Sequence, residues 1–120
     1  MKSMTKFFFA ALTSTLMAGS VFAATAAPKA EKPDLAKGEA IVGGVCAACH
    51  MADGNSTTPV NPKLAQQHPE YTVKQLQEFK SGKRANAVMM GFASQLSDAD
   101  MRNVAYFLAS KPAKPGFAAF

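Results

Sequence analysis

Residues 46–50 read Cys46-Ala47-Ala48-Cys49-His50, "CAACH", and they hold both cysteines of the chain with a histidine directly behind them. A Cys-x-x-Cys pair admits three chemistries: a redox dithiol, half of a structural metal site, or a pair of anchoring sulfurs for a larger group. The surrounding sequence has to discriminate among them.

The first discrimination comes from the start of the chain. "MKSMTKFFFAALTSTLMAGSVFA" carries Lys2 and Lys6, then an apolar run from Phe7, then small residues around Val21 and Ala23, the pattern of a secretory signal peptide cut after Ala23. The run is short for a bilayer span and is interrupted by Thr13, Ser14, Thr15, Gly19 and Ser20, which argues against an uncleaved anchor. No other segment is apolar and long enough to span a membrane, so the expectation is an exported, periplasmic mature chain with no membrane span.

Residues 24–33, "ATAAPKAEKP", lack apolar periodicity and read as a flexible leader; the folded domain is expected over 34–111, followed by a frayed tail over 112–120. At 120 residues, 48% hydrophobic and 18% charged, the chain has room for one ordinary globular domain. Removing Lys2 and Lys6 with the signal takes the formal charge from +5 to +3. That mild excess is spread along the chain with one local cluster, "KSGKR", and reads as a solvated surface, with no basic stripe for nucleic acid. A domain this small buries a low fraction of its surface and commonly needs a disulfide, metal or cofactor to hold together.

The secondary-structure pattern is helical. Asp34 is a good N-cap for a helix through "LAKGEAIVGGV" that delivers Cys46 near its end; Gly38, Gly43 and Gly44 lower its propensity and suggest close packing or a turn into the motif. "MADGNSTTPVNPKLAQQ" is a loop. Pro69 and Glu70 open a second helix in "HPEYTVKQLQEFKSG", with Val73, Leu76 and Phe79 or Lys80 at helical spacing and Gly82 as its stop. "KRANAVMMGFASQL" reads as a further loop. Ser97 and Asp100 then form a capping-box variant before Met101, Val104, Ala105 and Leu108, which mark the apolar face of a last helix ending at Lys111 and Pro112. With no alternating strand pattern, the expected fold is all-α, with three main helices and long loops.

Zinc needs four ligands, and beyond "CAACH" the chain offers one further histidine, His68, and no further cysteine. A thioredoxin-like dithiol needs its motif between a strand and a helix, whereas here it follows a helix and precedes a polar loop. Cys-x-x-Cys-His is the attachment signature of c-type haem: two thioether links through Cys46 and Cys49, and an imidazole, His50, fixed beside them as an iron ligand. Among the methionines, Met1, Met4 and Met17 leave with the signal, Met51 adjoins His50, and Met101 lies on the apolar face of the last helix. Met89 and Met90 remain as the candidate sixth ligand, and a histidine with a methionine makes a low-spin electron-transfer iron. His68, before Pro69, reads as an exposed residue at a helix start.

The ordered set "CAACHMADGNS", "PKLAQQHPEY", "KQLQEFKSGKR" and "LSDADM" resembles the class I c-type cytochromes, and more narrowly one half of the dihaem bacterial cytochromes c, over about Asp34 to Ser110. The resemblance implies a cytochrome c fold around one covalently attached haem c with its iron. It assigns Cys46 and Cys49 to the thioethers, His50 to the iron, the Pro62 carbonyl to the His50 Nδ1 proton, and Met89, with Met90 as alternative, to the sixth position. It also makes Gly38 the glycine where the first helix crosses the last, with Phe107 as the crossing aromatic and Tyr106 beside it. Where the family carries glycine after "CH" and in "LAGQ", this chain has Met51 and Gln66. Tyr71, Phe79 and Phe92 are candidate haem contacts.

The implied function is single-electron transfer between protein partners by a monomer that is not an enzyme, with weak docking steered by surface lysines. Alternatives are a gas- or peroxide-binding haem protein with an open sixth position, a haem subunit of a larger oxidoreductase, and a thiol oxidoreductase.

Overall fold

The computed structural model describes residues 31–116; the signal peptide, its cleavage after Ala23 and most of the leader lie outside the described residues. Helices are α1 (Leu35–Ile41), α2 (Ala47–His50), α3 (Pro69–Lys80), α4 (Ala87–Ala93) and α5 (Asp98–Ala109), with a π-helical turn over Val42–Cys46 joining α1 to α2. Among the described residues there is no strand. Nor is any helix there long and apolar enough to cross a membrane.

Helix α1 begins where the Asp34 side chain accepts the Lys37 N–H at 3.0 Å, satisfying one of the donors that a helix start leaves unpaired. It continues without a break through the π turn, where the Ala47 N–H reaches back to the Val42 carbonyl. The helical path therefore runs four residues beyond the expected end at Cys46 and carries the whole "CAACH" motif.

Helix α1 packs on α5, α5 on α3, and α3 on α4. The crossing of α1 over α5 is set by Gly38, which is buried: a Cβ built there would lie 2.2 Å from the Asn103 carbonyl oxygen and 2.8 Å from Phe107 Cβ. The Asn103 side chain is buried in turn and accepts the Asp34 N–H at 2.8 Å, so the same residue fixes the start of α1.

Ser97 and Asp100 close a complete capping box at the start of α5. Beyond it, Met101, Val104, Ala105 and Leu108 are buried at the i, i+3, i+4, i+7 spacing of one helix face, joined by Phe107. Each large side chain so buried contributes roughly 1.5–3 kcal/mol. Val42 from the π turn, Leu76 and Phe79 from α3, and Ala93 and Leu96 complete the core. On α3 the buried set is Thr72, Leu76 and Phe79, with Thr72 in place of the expected Val73.

Two stretches differ from the sequence expectation. The segment read as a loop over 83–96 contains helix α4, because the Asn86 side chain accepts the Met89 N–H at 3.0 Å and caps it. The tail expected to fray is tied down as far as Gly116. Asn55 donates to the Pro112 carbonyl at 3.0 Å and accepts the Lys114 N–H at 2.7 Å, Lys63 donates to the Lys114 and Gly116 carbonyls, and Lys114 pairs with Asp53 at 2.6 Å. The Lys114 ammonium, with the Asn55 N–H, holds the Asp53 carboxyl down to about 2.

Gly38→Ala drives a methyl group into backbone atoms of α5 that cannot move independently. It is expected to cost about 3 kcal/mol, read as a drop in the midpoint of thermal unfolding, while Gly43→Ala, where an added Cβ meets open space, leaves the midpoint unchanged or raises it.

Candidate haem site

Cys46, Cys49 and His50 fall at i, i+3 and i+4 along the helical path, so they share a face. All three line a cleft of about 590 Å³, a volume in the range of small-molecule and cofactor pockets. Facing them along the cleft are Leu76 and Phe79 of α3, Met89 and Phe92 of α4, and Val104 and Leu108 of α5. Tyr71 also lines it, and the exposed side chains of Val45, Val60 and Val88 stand along it. Val60 and Val88 escape sequence reasoning; for Val60, 87% exposed, the available signal is an apolar residue in an otherwise polar loop.

His50 is 7% exposed, and its Nδ1 lies 2.8 Å from the Pro62 carbonyl oxygen. A carbonyl only accepts, so Nδ1 carries the proton and Nε2 keeps the lone pair that a metal requires. The loop delivering Pro62 is pinned by the Gly54 carbonyl, which accepts from Leu64 N–H at 2.8 Å and Ala65 N–H at 3.1 Å. Gly54 has φ +71, and a Cβ there would lie 2.8 Å from both the Ala65 nitrogen and Leu108 Cδ2. Glycine is the residue that meets both conditions.

The two candidate methionines separate. Successive helical side chains point about 100° apart, and α4 turns Met89 toward the core and the cleft wall while Met90 stands 37% exposed and off that wall. His68 is exposed at the start of α3 and does not line the cleft.

The chemistry of this donor set is narrow. Burial pushes the Cys46 thiol pKa up, which disfavours the thiolate that disulfide exchange and zinc binding both use. Among the described residues no three or more His, Cys, Asp and Glu side chains gather to hold a metal ion. Two thiols and a pre-oriented imidazole along a mostly apolar cleft, with a thioether lining the same cleft, fit a flat apolar macrocycle carrying iron.

The comparisons with known proteins agree with that fit. The model of the family "Cytochrome c" matches residues 35–111, and the chain belongs to the cytochrome c family. It is similar to cytochrome c4 of Thiocapsa roseopersicina, with 48% identity over 93 residues covering 78% of this chain and 47% of the relative. It is also similar to a thiosulfate dehydrogenase electron acceptor of Stutzerimonas stutzeri, with 44% identity over 62% of this chain and 34% of the relative. Among solved structures, reduced recombinant cytochrome c4 from Pseudomonas stutzeri superposes with a TM-score of 0.66 at 37% identity, over 73% of this chain and 50% of that one. The chain spans about half the length of the cytochrome c4 relatives it matches. With this membership, the "CAACH" spacing is that of one covalent haem c with its iron.

Met51 at φ 65, ψ 156 and Gln66 at φ 61 are the non-glycine residues with positive φ among the described residues. Met51 sits in a region that is essentially glycine's alone, at a cost of roughly 1–3 kcal/mol. Gln66 also has a positive φ, and its N–H donates to the Leu108 carbonyl at 3.0 Å. Glycine relieves the strain but loses about 0.5–1 kcal/mol through backbone entropy. Met51→Gly is therefore expected to stabilise the protein by about 1 kcal/mol, and Gln66→Gly to change stability little, as measured by denaturant unfolding.

Proposed function

We infer that the protein is a periplasmic monohaem electron carrier in which Cys46 and Cys49 form the thioethers and His50 and Met89 are the axial ligands of the iron. The observation that carries this reading is one cleft lined by the imidazole of His50, with its Nδ1 on the Pro62 carbonyl, by both motif cysteines and by Met89 from another helix. When bound, haem c supplies a reversible one-electron Fe(III)/Fe(II) couple.

The chain's own residues determine how that couple is used. The Pro62 carbonyl orients His50 and makes its Nε2 a better donor. The Met89 thioether would supply a soft ligand, which favours the reduced ion and raises the potential. Were His50 and Met89 both to hold the iron, no coordination site would be left for substrate, which supports a carrier over an enzyme. Leu76, Phe79, Val104 and Leu108 exclude water from the cleft, while exposed Val45, Val60 and Val88 form an apolar rim where a partner's redox group approaches.

Signal cleavage after Ala23 and a monomeric mature chain complete this proposal, with the cytochrome domain over 34–111. Docking is brief, as at small redox-encounter interfaces. Scattered lysines steer it, so raised ionic strength slows transfer. A second reading, a haem subunit of a larger oxidoreductase, is favoured by the relative described as a thiosulfate dehydrogenase electron acceptor; it predicts a stable complex through purification.

Met89→Ala is expected to abolish the weak far-red sulfur-to-iron absorption band of the ferric protein and to open the ferrous form to carbon monoxide. Met90→Ala keeps the band and stays closed. The reverse assignment of the two spectra would make Met90 the ligand, and carbon monoxide binding to the unaltered protein would favour a ligand-binding function over electron carriage.

A further inference from the structure

Helix α4 has seven residues and one buried side chain, Ala93. An isolated helix this short is not stable in water, so its place is set by what fastens its two ends. At its start the Asn86 side chain takes the Met89 N–H at 3.0 Å. At its end the chain turns through Ser94 and Gln95 to Leu96, whose N–H returns to the Ala93 carbonyl at 3.2 Å. The Leu96 carbonyl is engaged from across the fold: the ammonium of Lys80, in the last turn of α3, donates to it.

The same ammonium lies near the first turn of α5. The Asp100 carboxyl there is held below its usual range by hydrogen bonds from the Ser97 hydroxyl and N–H, and then by the charges of Lys37 and Lys80. Lys80 thus stands where the end of α3, the junction of α4 with α5 and the start of α5 meet. The lysines on either side of it are engaged elsewhere, Lys74 and Lys83 both pairing with Glu78, at 4.0 Å and 3.6 Å. Lys80 does not line the haem cleft, so what it does for the site passes through α4.

Met89 lines the cleft and packs against the core cluster that contains Ala93 and Leu96. We propose that Lys80 is a positioning residue for Met89: by gripping the Leu96 carbonyl it fastens the far end of α4 to α3 and keeps the Met89 thioether turned into the cleft. This rests on the reading of Met89 as an axial ligand. A hydrogen bond from a charged donor is stronger than one from a neutral donor. Without it the end of α4 is left to the apolar contacts of Ala93 and Leu96, and the helix moves off the cleft more often. An outside ligand reaches the iron only while the thioether is away, so its apparent affinity scales with that open fraction.

The test is titration of the ferric holoprotein with imidazole, followed at the sulfur-to-iron band, for the wild type, Lys80→Met, Lys80→Arg, Lys83→Met and Tyr106→Phe. Lys83→Met removes the same charge three residues further on. Tyr106→Phe breaks the 2.9 Å bond from Tyr106 to Glu70 that ties the other end of α3 to α5. Lys80→Met should bind imidazole on the order of tenfold more tightly and exchange the backbone N–H groups of residues 90–96 with deuterium faster. Lys80→Arg, which keeps N–H donors, should recover most of both effects, and the other two variants should match the wild type. Lys80→Leu carries the same prediction should Lys80→Met fail to mature. Wild-type imidazole affinity in the Lys80 variants, or an equal rise in Lys83→Met or Tyr106→Phe, would overturn the proposal. A wild-type protein with covalent haem but no sulfur-to-iron band would instead overturn the Met89 reading beneath it.

Discussion

The close crossing of α1 over α5 at Gly38 is the constraint on which the site depends. With no side chain between the two backbones, α1 lies directly on α5, and Asn103 clamps the crossing by holding the Asp34 N–H. Val42, fully buried one helical turn further on, adds the apolar contact. The helical path from this crossing to "CAACH" is unbroken, so the angle set at Gly38 is carried through the π turn to Cys46, Cys49 and His50. Short π segments of this kind recur at functional sites, and this one ends at the first cysteine of the motif.

A second layer of order comes from the loop after the motif. Gly54 lets the chain pass close to Ala65 and Leu108, and its carbonyl gathers the Leu64 and Ala65 N–H groups; the result is a Pro62 carbonyl aimed at His50. The loop is held at both ends, by Met51 in a conformation ordinary side chains avoid and by Gln66, whose N–H ties it to the last turn of α5. The tail is fastened to this loop through Asn55, Asp53 and Lys63. The protein therefore spends backbone strain and side-chain hydrogen bonds on the one segment that fixes the imidazole.

How much of this the sequence reveals depends on which force decides each part. The capping box of Ser97 and Asp100 and the apolar face from Met101 to Leu108 are local, and they are readable as they stand. "CAACH" is readable because its chemistry requires that spacing. Helix α4 is not. Its apolar residues Val88, Met89 and Phe92 line a cleft, with Met89 alone of the three also packed against the core, so their spacing follows the cleft, and Gly91 weakens the helical pattern further. Met89 and Met90 are adjacent in sequence, and it takes the cap at Asn86 to turn one inward.

The central claim is that "CAACH" anchors a haem. Its most direct test is mass spectrometry of the tryptic peptide from Gly38 to Lys63, taken from protein matured in a host that attaches c-type haem. The account predicts a peptide heavier by one haem, with both cysteines resistant to alkylation after reduction. An unmodified peptide whose Cys46 and Cys49 alkylate freely would contradict it.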